Sequence, residues 1–128
     1  MSKIALVTGA TAGIGEATAC KLAEEGFNLI LTGRREARLL HLKNKLEQRN
    51  VRVLPLGFDV RDETAVKQSL SQLPQEWQQI DILINNAGLA AGLSSLHEGK
   101  SDDWNRMIDT NLKGLLYVTR AVTPGMVA

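Results

Sequence analysis

The stretch Thr8-Gly9-Ala10-Thr11-Ala12-Gly13-Ile14-Gly15 decides the fold of this chain, because it joins a strand to a helix. The residues before it, Lys3-Ile4-Ala5-Leu6-Val7, are strand formers, and residues 16–23 have a helical pattern. A glycine-rich turn at such a junction places backbone N–H groups and the positive end of the helix dipole together, which favours a bound pyrophosphate. Turns also need glycine for structural reasons alone, but the flanking strand and helix favour a nucleotide-binding loop.

Strand-like and helix-like segments alternate along the rest of the chain. Further strands are predicted at 28–32, 51–58 and 80–84, and helices at 36–49, from the cap Asp62 to Leu73, and from Ser101 or Asp102 onward. Pro55 favours an edge position or a break in pairing for the third strand, and the fourth strand is apolar enough to be covered on both faces. Short strand–helix units form parallel sheets with right-handed crossovers, so the sequence predicts a doubly wound α/β domain of about four strands.

The bulk composition is that of a soluble globular domain. With 128 residues, 44% of them hydrophobic and 23% charged, the chain forms one domain at most. A net charge of +1 argues against nucleic-acid binding, and no signal peptide or membrane span is visible. Cys20 cannot form an internal disulfide, which favours the cytoplasm, and is expected to pack on the first helix. His41 and His97 have no partner at metal-ligand spacing, so no metal site is predicted.

The residues after the second predicted strand indicate which nicotinamide cofactor fits. An acid at this point bonds the ribose 2′-hydroxyl of NAD and repels the 2′-phosphate of NADP. Here Gly33 stands where the acid would be, and Arg34 and Arg35 follow it. Guanidinium groups suit a phosphate, whereas two positive charges at a helix N-terminus oppose the helix dipole. The sequence therefore favours NADP over the alternative, in which both arginines simply open a solvated helix.

Four motifs together give the chain a resemblance to the short-chain dehydrogenase/reductase family over essentially its whole length. They are the loop at 8–15, Asp59-Val60, Asn85-Asn86-Ala87-Gly88 and Thr110-Asn111-Leu112-Lys113-Gly114. The resemblance implies a Rossmann-type fold in which residues 1–128 form an NADP-binding domain that is incomplete at its C-terminal end. More narrowly, the NADP-dependent serine or 3-hydroxy acid dehydrogenase branch is similar at residues 33–35, 86–90, 107–111 and 119–122.

The resemblance also implies roles for individual residues. Asp59 would accept a hydrogen bond from the adenine amino group, Val60 would contact the adenine ring, and Asn111 would be the catalytic asparagine that holds a water in a proton relay. Asn86 and its neighbours would approach the ribose. The implied cofactor-binding residues are Gly9, Thr11, Ala12, Gly13, Ile14, Gly15, Arg34, Arg35, Asp59, Val60, Asn86, Ala87 and Gly88. A small-molecule substrate and a homo-oligomer, either dimer or tetramer, are implied as well, with no nucleic-acid or membrane partner.

The residues themselves leave other interpretations open. Asp59 could cap the turn that follows it, and Asn111 could be a structural asparagine that bonds nearby carbonyl groups. The asparagine pair at 85 and 86 could form a turn. Trp77 and Trp104 are interpreted as packing residues rather than substrate platforms.

Part of the family's catalytic machinery is missing from the sequence. The family uses a tyrosine with a lysine four residues later and a serine on the preceding strand, but Ala121 stands at that spacing from Tyr117, the one tyrosine. We therefore expect Tyr117 to be a packing residue and the 128 residues to be an inactive fragment rather than a natural short protein. The expected parent is an NADP-dependent oxidoreductase of small hydroxy acids or alcohols. The alternatives are a non-catalytic nucleotide-binding or interaction module and an extended-branch epimerase, against which the motif at 85–88 argues.

Overall fold

The computed structural model describes residues 3–11, 13–88 and 96–128, in which strands and helices alternate. The strands are β1 (Ile4–Val7), β2 (Asn28–Gly33), β3 (Val53–Gly57) and β4 (Ile82–Ile84). The helices are α1 (Gly13–Glu24), α2 (Glu36–Glu47), α3 (Glu63–Ser71), α4 (Ser101–Met107) and α5 (Leu115–Val127). A π-helical segment, Ile108–Gly114, joins α4 to α5, and single 3₁₀ turns lie at Gln75–Trp77 and Leu96–Glu98.

The four strands form one parallel sheet in the order β3-β2-β1-β4, which confirms the predicted α/β, Rossmann-type architecture. In the central pairing, Ala5 lies opposite Leu29 on β2 and opposite Ile82 on β4. Pro55 lies on β3 at one edge, as predicted, because proline cannot donate to a second neighbouring strand. The residues of β4 are only half-buried, which departs from the expected cover on both faces, since β4 pairs only with β1 within the described ranges.

Helices cover both faces of the sheet, and side chains alternate between the two layers as strand geometry requires. Ile4 and Leu6 of β1 belong to one apolar cluster, with side chains of α3 and α5. Ala5 and Val7 belong to the opposite cluster, with side chains of α1 and α2. The sheet is therefore doubly wound, and the carboxyl ends of its strands are left to form the site.

Local signals in the sequence set the ends of several helices. Asp62 caps α3, because its Oδ1 accepts a hydrogen bond from the backbone N–H of Ala65 at 3.1 Å. Trp77 is buried, as predicted, whereas Trp104 is 39% exposed and lies against Gly99. Cys20 is half-buried and packs beside the cluster of α1 and α2.

Candidate functional site

The loop between β1 and α1 contains three glycines, and each position favours glycine for its own physical reason. Gly9 and Gly13 have φ of +61° and +58°, a conformation that side chains rarely adopt. A Cβ on Gly15 would lie 2.1 Å from the carbonyl oxygen of Gly9, so residue 15 must be glycine for the loop to close on α1. Nothing lies within 4 Å of a Cβ built on Gly13, which leaves space beside the first turn of α1. The first N–H groups of that helix have no intrahelical acceptor and are free to bind an anion.

The loop is locked to the end of β4 by hydrogen bonds between residues far apart in sequence. The buried hydroxyl Oγ1 of Thr8 accepts from the backbone N–H groups of Asn86 and Ala87, both at 2.9 Å. The side-chain Nδ2 of Asn86 donates to the Gly9 carbonyl at 3.1 Å. Asn85 Nδ2 donates to Thr119 Oγ1 on α5 at 3.0 Å. The asparagine pair is therefore a junction between β4, the glycine loop and α5, rather than only a turn.

A cleft of about 330 Å³ opens at the carboxyl ends of the strands. This is where open α/β sheets bind ligands. It is lined by Gly9, Thr11, Thr32, Gly33, Arg34, Arg35, Arg38, Phe58, Asp59, Val60, Asn86, Ala87, Gly88 and Thr110. Nine of these were predicted from the sequence as cofactor-binding residues, which the fold thus brings together.

The remaining predicted residues lie outside the lining of this cleft. Gly13, Ile14 and Gly15 form the first turn of α1, where the side chain of Ile14 is 77% exposed. Ala12 lies outside the residues that the structure describes.

Three arginines line the cleft: Arg34, Arg35 and Arg38. All three side chains are exposed, and none has an ion pair among the described residues. The five other arginines of the sequence each pair with a carboxylate, at positions 49, 52, 61, 106 and 120. Sequence reasoning missed Arg38, although its place one turn into α2, three residues after Arg35, could have suggested it. The cleft is therefore bordered by three guanidinium groups that form no ion pair within the described part of the chain.

Asp59 lines the same cleft and is ion-paired with Arg61. The Arg61 Nη2 lies 2.7 Å from Asp59 Oδ2, and the Arg61 backbone N–H donates to Oδ1 at 2.9 Å. The hydrogen bonds from the Arg61 side chain lower the pKa of the Asp59 carboxyl, and burial opposes that shift. Asp59 thus orders the turn after β3 and also lines the cleft, and its role toward adenine stays a prediction. Sequence reasoning did not identify Arg61.

Asn111 lies on the π-helical segment, which interrupts the continuous helix predicted from Ser101 onward. Its Oδ1 is 3.4 Å from the position of a Cβ on Gly88, and its neighbour Thr110 lines the cleft. Gly114 ends the segment against Val60, where a Cβ would lie 2.6 Å from Val60 Cγ2. This close approach brings Asn111 beside the loop after β4. π-Helical turns often occur at functional sites, but no sequence signal marks this one.

Other candidate residues have no place in the cleft. Tyr117 packs beside the cluster of α3 and α5, with the Arg120 guanidinium 5.9 Å from its ring centre. His41 and His97 are exposed, and the described ranges contain no group of three His, Cys, Asp or Glu side chains that could hold a metal. Among the same residues, no helix combines the length and hydropathy that a membrane span requires.

Comparisons with known proteins agree with this geometry. The sequence model of the family described as short chain dehydrogenase matches residues 3–128. The NADP-dependent 3-hydroxy acid dehydrogenase YdfG of Salmonella typhi is 52% identical over 124 residues, 97% of this chain and 49% of that protein. Sulfoacetaldehyde reductase 2 of Chromohalobacter salexigens is 49% identical over 127 residues, 99% of this chain and 50% of that protein.

A solved structure gives the same result in three dimensions. The closed form of serine dehydrogenase complexed with NADP+ has a TM-score of 0.90 and 50% identity, over 97% of this chain and 49% of that one. The chain spans about half the length of the curated relatives that it matches.

Proposed function

The chain belongs to the short-chain dehydrogenase family, and we propose that it is the NADP-binding part of an oxidoreductase. The enzyme would transfer hydride between nicotinamide and a small hydroxy acid or alcohol. The bound cofactor supplies the hydride chemistry, and the protein supplies binding, orientation and proton transfer. The names of two relatives, a 3-hydroxy acid dehydrogenase and a sulfoacetaldehyde reductase, support a small polar substrate.

The shape of the glycine loop supports a dinucleotide. Gly13 leaves open space beside the first turn of α1, where unpaired backbone N–H groups favour phosphate oxygens. Gly9 and Gly15 keep the loop tight, because side chains there would collide with Ala87 or with the Gly9 carbonyl. We assign the pyrophosphate to this loop, residues 9–15, which includes the Ala12 position outside the described residues.

One observation carries the assignment to NADP rather than NAD. Gly33 ends β2 where an acid would bind a ribose hydroxyl. Arg34, Arg35 and Arg38 line the cleft, and none of them has a carboxylate partner among the residues that the structure describes. A 2′-phosphate would satisfy these guanidinium groups with charge-assisted hydrogen bonds. We assign Asp59 and Val60 to the adenine and residues 86–88 to the ribose. Because residue 33 is glycine and not an acid, a 2′-phosphate would meet no carboxylate repulsion from that residue.

The proposed catalytic role of Asn111 follows from the family resemblance and is supported by its position beside Gly88. The 128 residues contain no tyrosine with a lysine four positions later, so a polypeptide of this sequence alone is expected to show no turnover. The alternative is a nucleotide-binding module without catalysis. Absorbance of reduced nicotinamide, measured with a polypeptide whose mass is verified, tests the expectation of no turnover. A tyrosine with a lysine four residues later, in any sequence that follows residue 128 in the full-length gene product, would decide for the enzyme. Cytoplasmic location and a homo-oligomer remain part of the proposal.

The cofactor assignment is tested by calorimetric binding of NADP+ and NAD+ to the wild type, Arg34→Ala and Arg35→Ala. The wild type should prefer NADP+. Loss of a contact between arginine and phosphate should weaken NADP+ binding by about 10- to 150-fold. Arg52→Ala, which removes an arginine paired with Glu76 away from the cleft, is the control. Equal affinities of the wild type for the two cofactors would overturn the NADP assignment.

A further inference from the structure

Arg61 holds the Asp59 carboxylate through both its backbone and its side chain. Asp59 Oδ1 accepts from the Arg61 backbone N–H at 2.9 Å, and Oδ2 accepts from Nη2 at 2.7 Å. The third donor, Nε, lies 3.1 Å from both oxygens. A planar guanidinium in this side-on arrangement fixes the plane of the carboxylate as well as its position.

This arrangement leaves Asp59 capacity for one more donor. A carboxylate has about four lone-pair sites, and Arg61 brings three donors to them. The Asp59 side chain is 28% exposed and lines the cleft, whereas Arg61 is not among the residues that line it. Arg61 thus contacts the Asp59 carboxylate from outside the lining of the cleft, whereas Asp59 itself borders the cleft.

We propose that Arg61 is a positioning residue for base recognition. By fixing the Asp59 carboxylate, Arg61 enables Asp59 to select a purine with an amino group at position 6 over one with a carbonyl group there. The inference rests on the proposed function, because it needs the adenosine part of NADP in this cleft. An ionised carboxylate only accepts hydrogen bonds, so it attracts the 6-amino group of adenine and repels the 6-carbonyl oxygen of hypoxanthine.

Other charges around the pair define what happens when Arg61 is removed. Arg34, at the end of β2, is the other cation that acts on Asp59, and Asp109 of the π-helical segment acts on Arg61. Without Arg61, the Asp59 side chain loses the contacts that fix its plane and is drawn toward Arg34. The carboxylate then no longer presents a fixed acceptor to the base, and selection between purines is lost while phosphate binding remains.

The experiment compares binding of NADP+ with binding of its deamino analogue, in which hypoxanthine replaces adenine. Calorimetry is done on the wild type, Arg61→Met and Arg61→Lys. Arg106→Met is the matched control, because Arg106 Nη2 is also 2.7 Å from a carboxylate oxygen, that of Asp103 on α4. The wild type and the control should bind NADP+ about 10-fold more tightly than the analogue. The ratio should fall below about threefold in Arg61→Met and be intermediate in Arg61→Lys, which keeps the charge without the side-on geometry.

The outcomes separate this inference from the proposed function. A wild-type ratio in Arg61→Met, or no discrimination in the wild type, overturns the inference and leaves NADP binding standing. A wild type that does not bind NADP+ overturns the proposed function, and the inference with it. Thermal unfolding is recorded for each variant. If Arg61→Met does not fold, Arg61→Lys decides, and full discrimination in that variant overturns the inference.

Discussion

Gly15 and Gly9 lie so close that a Cβ on Gly15 would be 2.1 Å from the Gly9 carbonyl oxygen, which also accepts the Asn86 side-chain amide. Gly15→Ala should therefore push the loop away from β4, break that hydrogen bond, and lower both stability and NADP+ affinity. Gly125→Ala on α5 is the control, because its Cβ would have an ordinary contact of 3.9 Å with Gln78 and alanine favours a helix. Urea unfolding should show lower stability for Gly15→Ala and higher stability for Gly125→Ala, and calorimetry should show weaker NADP+ binding in Gly15→Ala.

Gly13 and Gly26 test the phosphate role of the loop separately from backbone strain. Both have positive φ, and no atom lies within 4 Å of a Cβ at either residue. Gly13→Ala and Gly26→Ala should therefore each cost about 1 kcal/mol of stability from the backbone conformation. Only Gly13→Ala should weaken NADP+ binding, because its methyl group enters the space assigned to the pyrophosphate. Equal NADP+ affinities in the two variants would remove the phosphate from this loop.

Arg38 should contribute to NADP+ binding although the sequence did not single it out. It lines the cleft with Arg34 and Arg35 and has no ion pair among the described residues. Arg38→Ala should weaken NADP+ binding by about 10-fold or more and leave NAD+ binding nearly unchanged. Arg49→Ala, whose guanidinium pairs with Glu24, should change neither affinity. A parallel loss of both cofactors in Arg38→Ala would contradict a role in phosphate recognition.

The ion pair of Asp59 and Arg61 should make part of the stability depend on pH. The hydrogen bonds from Arg61 hold the Asp59 pKa below its usual value, so the folded state gains stability that is fully present above pH of about 4. That contribution disappears as the pH falls through the lowered pKa. Because both groups are partly exposed, Arg61→Met should cost about 1 kcal/mol or less at pH 7. Urea unfolding from pH 7 down to pH 3 should show the two proteins converging, and a constant difference would contradict this coupling.

The exposed apolar side chains on the π-helical segment and the start of α5 should mediate self-association. Ile108, Leu112 and Leu116 are 44%, 60% and 60% exposed at helical spacing, which is unusual for large apolar side chains. If the protein is a homo-oligomer through this face, Leu112→Lys with Leu116→Lys should shift it toward monomer. Leu40→Lys alters another exposed leucine, on α2, and should leave the assembly unchanged. Light scattering after size-exclusion chromatography measures both, and a monomeric wild type would refute the expectation.

The sequence by itself determined those features that depend on neighbouring residues. The strand, glycine turn and helix at 3–24, the cap at Asp62 and the edge strand with Pro55 all follow from backbone angles, hydrogen-bonding capacity and apolar periodicity. The presence of Gly33-Arg34-Arg35 where NAD-binding chains have an acid also indicated a phosphate from sequence alone, because the end of β2 defines that position.

Only the tertiary structure decided how distant segments complete one another. The Thr8 hydroxyl meets the N–H groups of Asn86 and Ala87 across more than 70 residues of sequence, and no local pattern predicts that contact. The π-helical segment at 108–114 and the side-on ion pair of Asp59 and Arg61 are also absent from the sequence pattern. Periodicity shows that a helix has an apolar stripe but not whether the stripe is covered, because burial depends on which other elements pack against it.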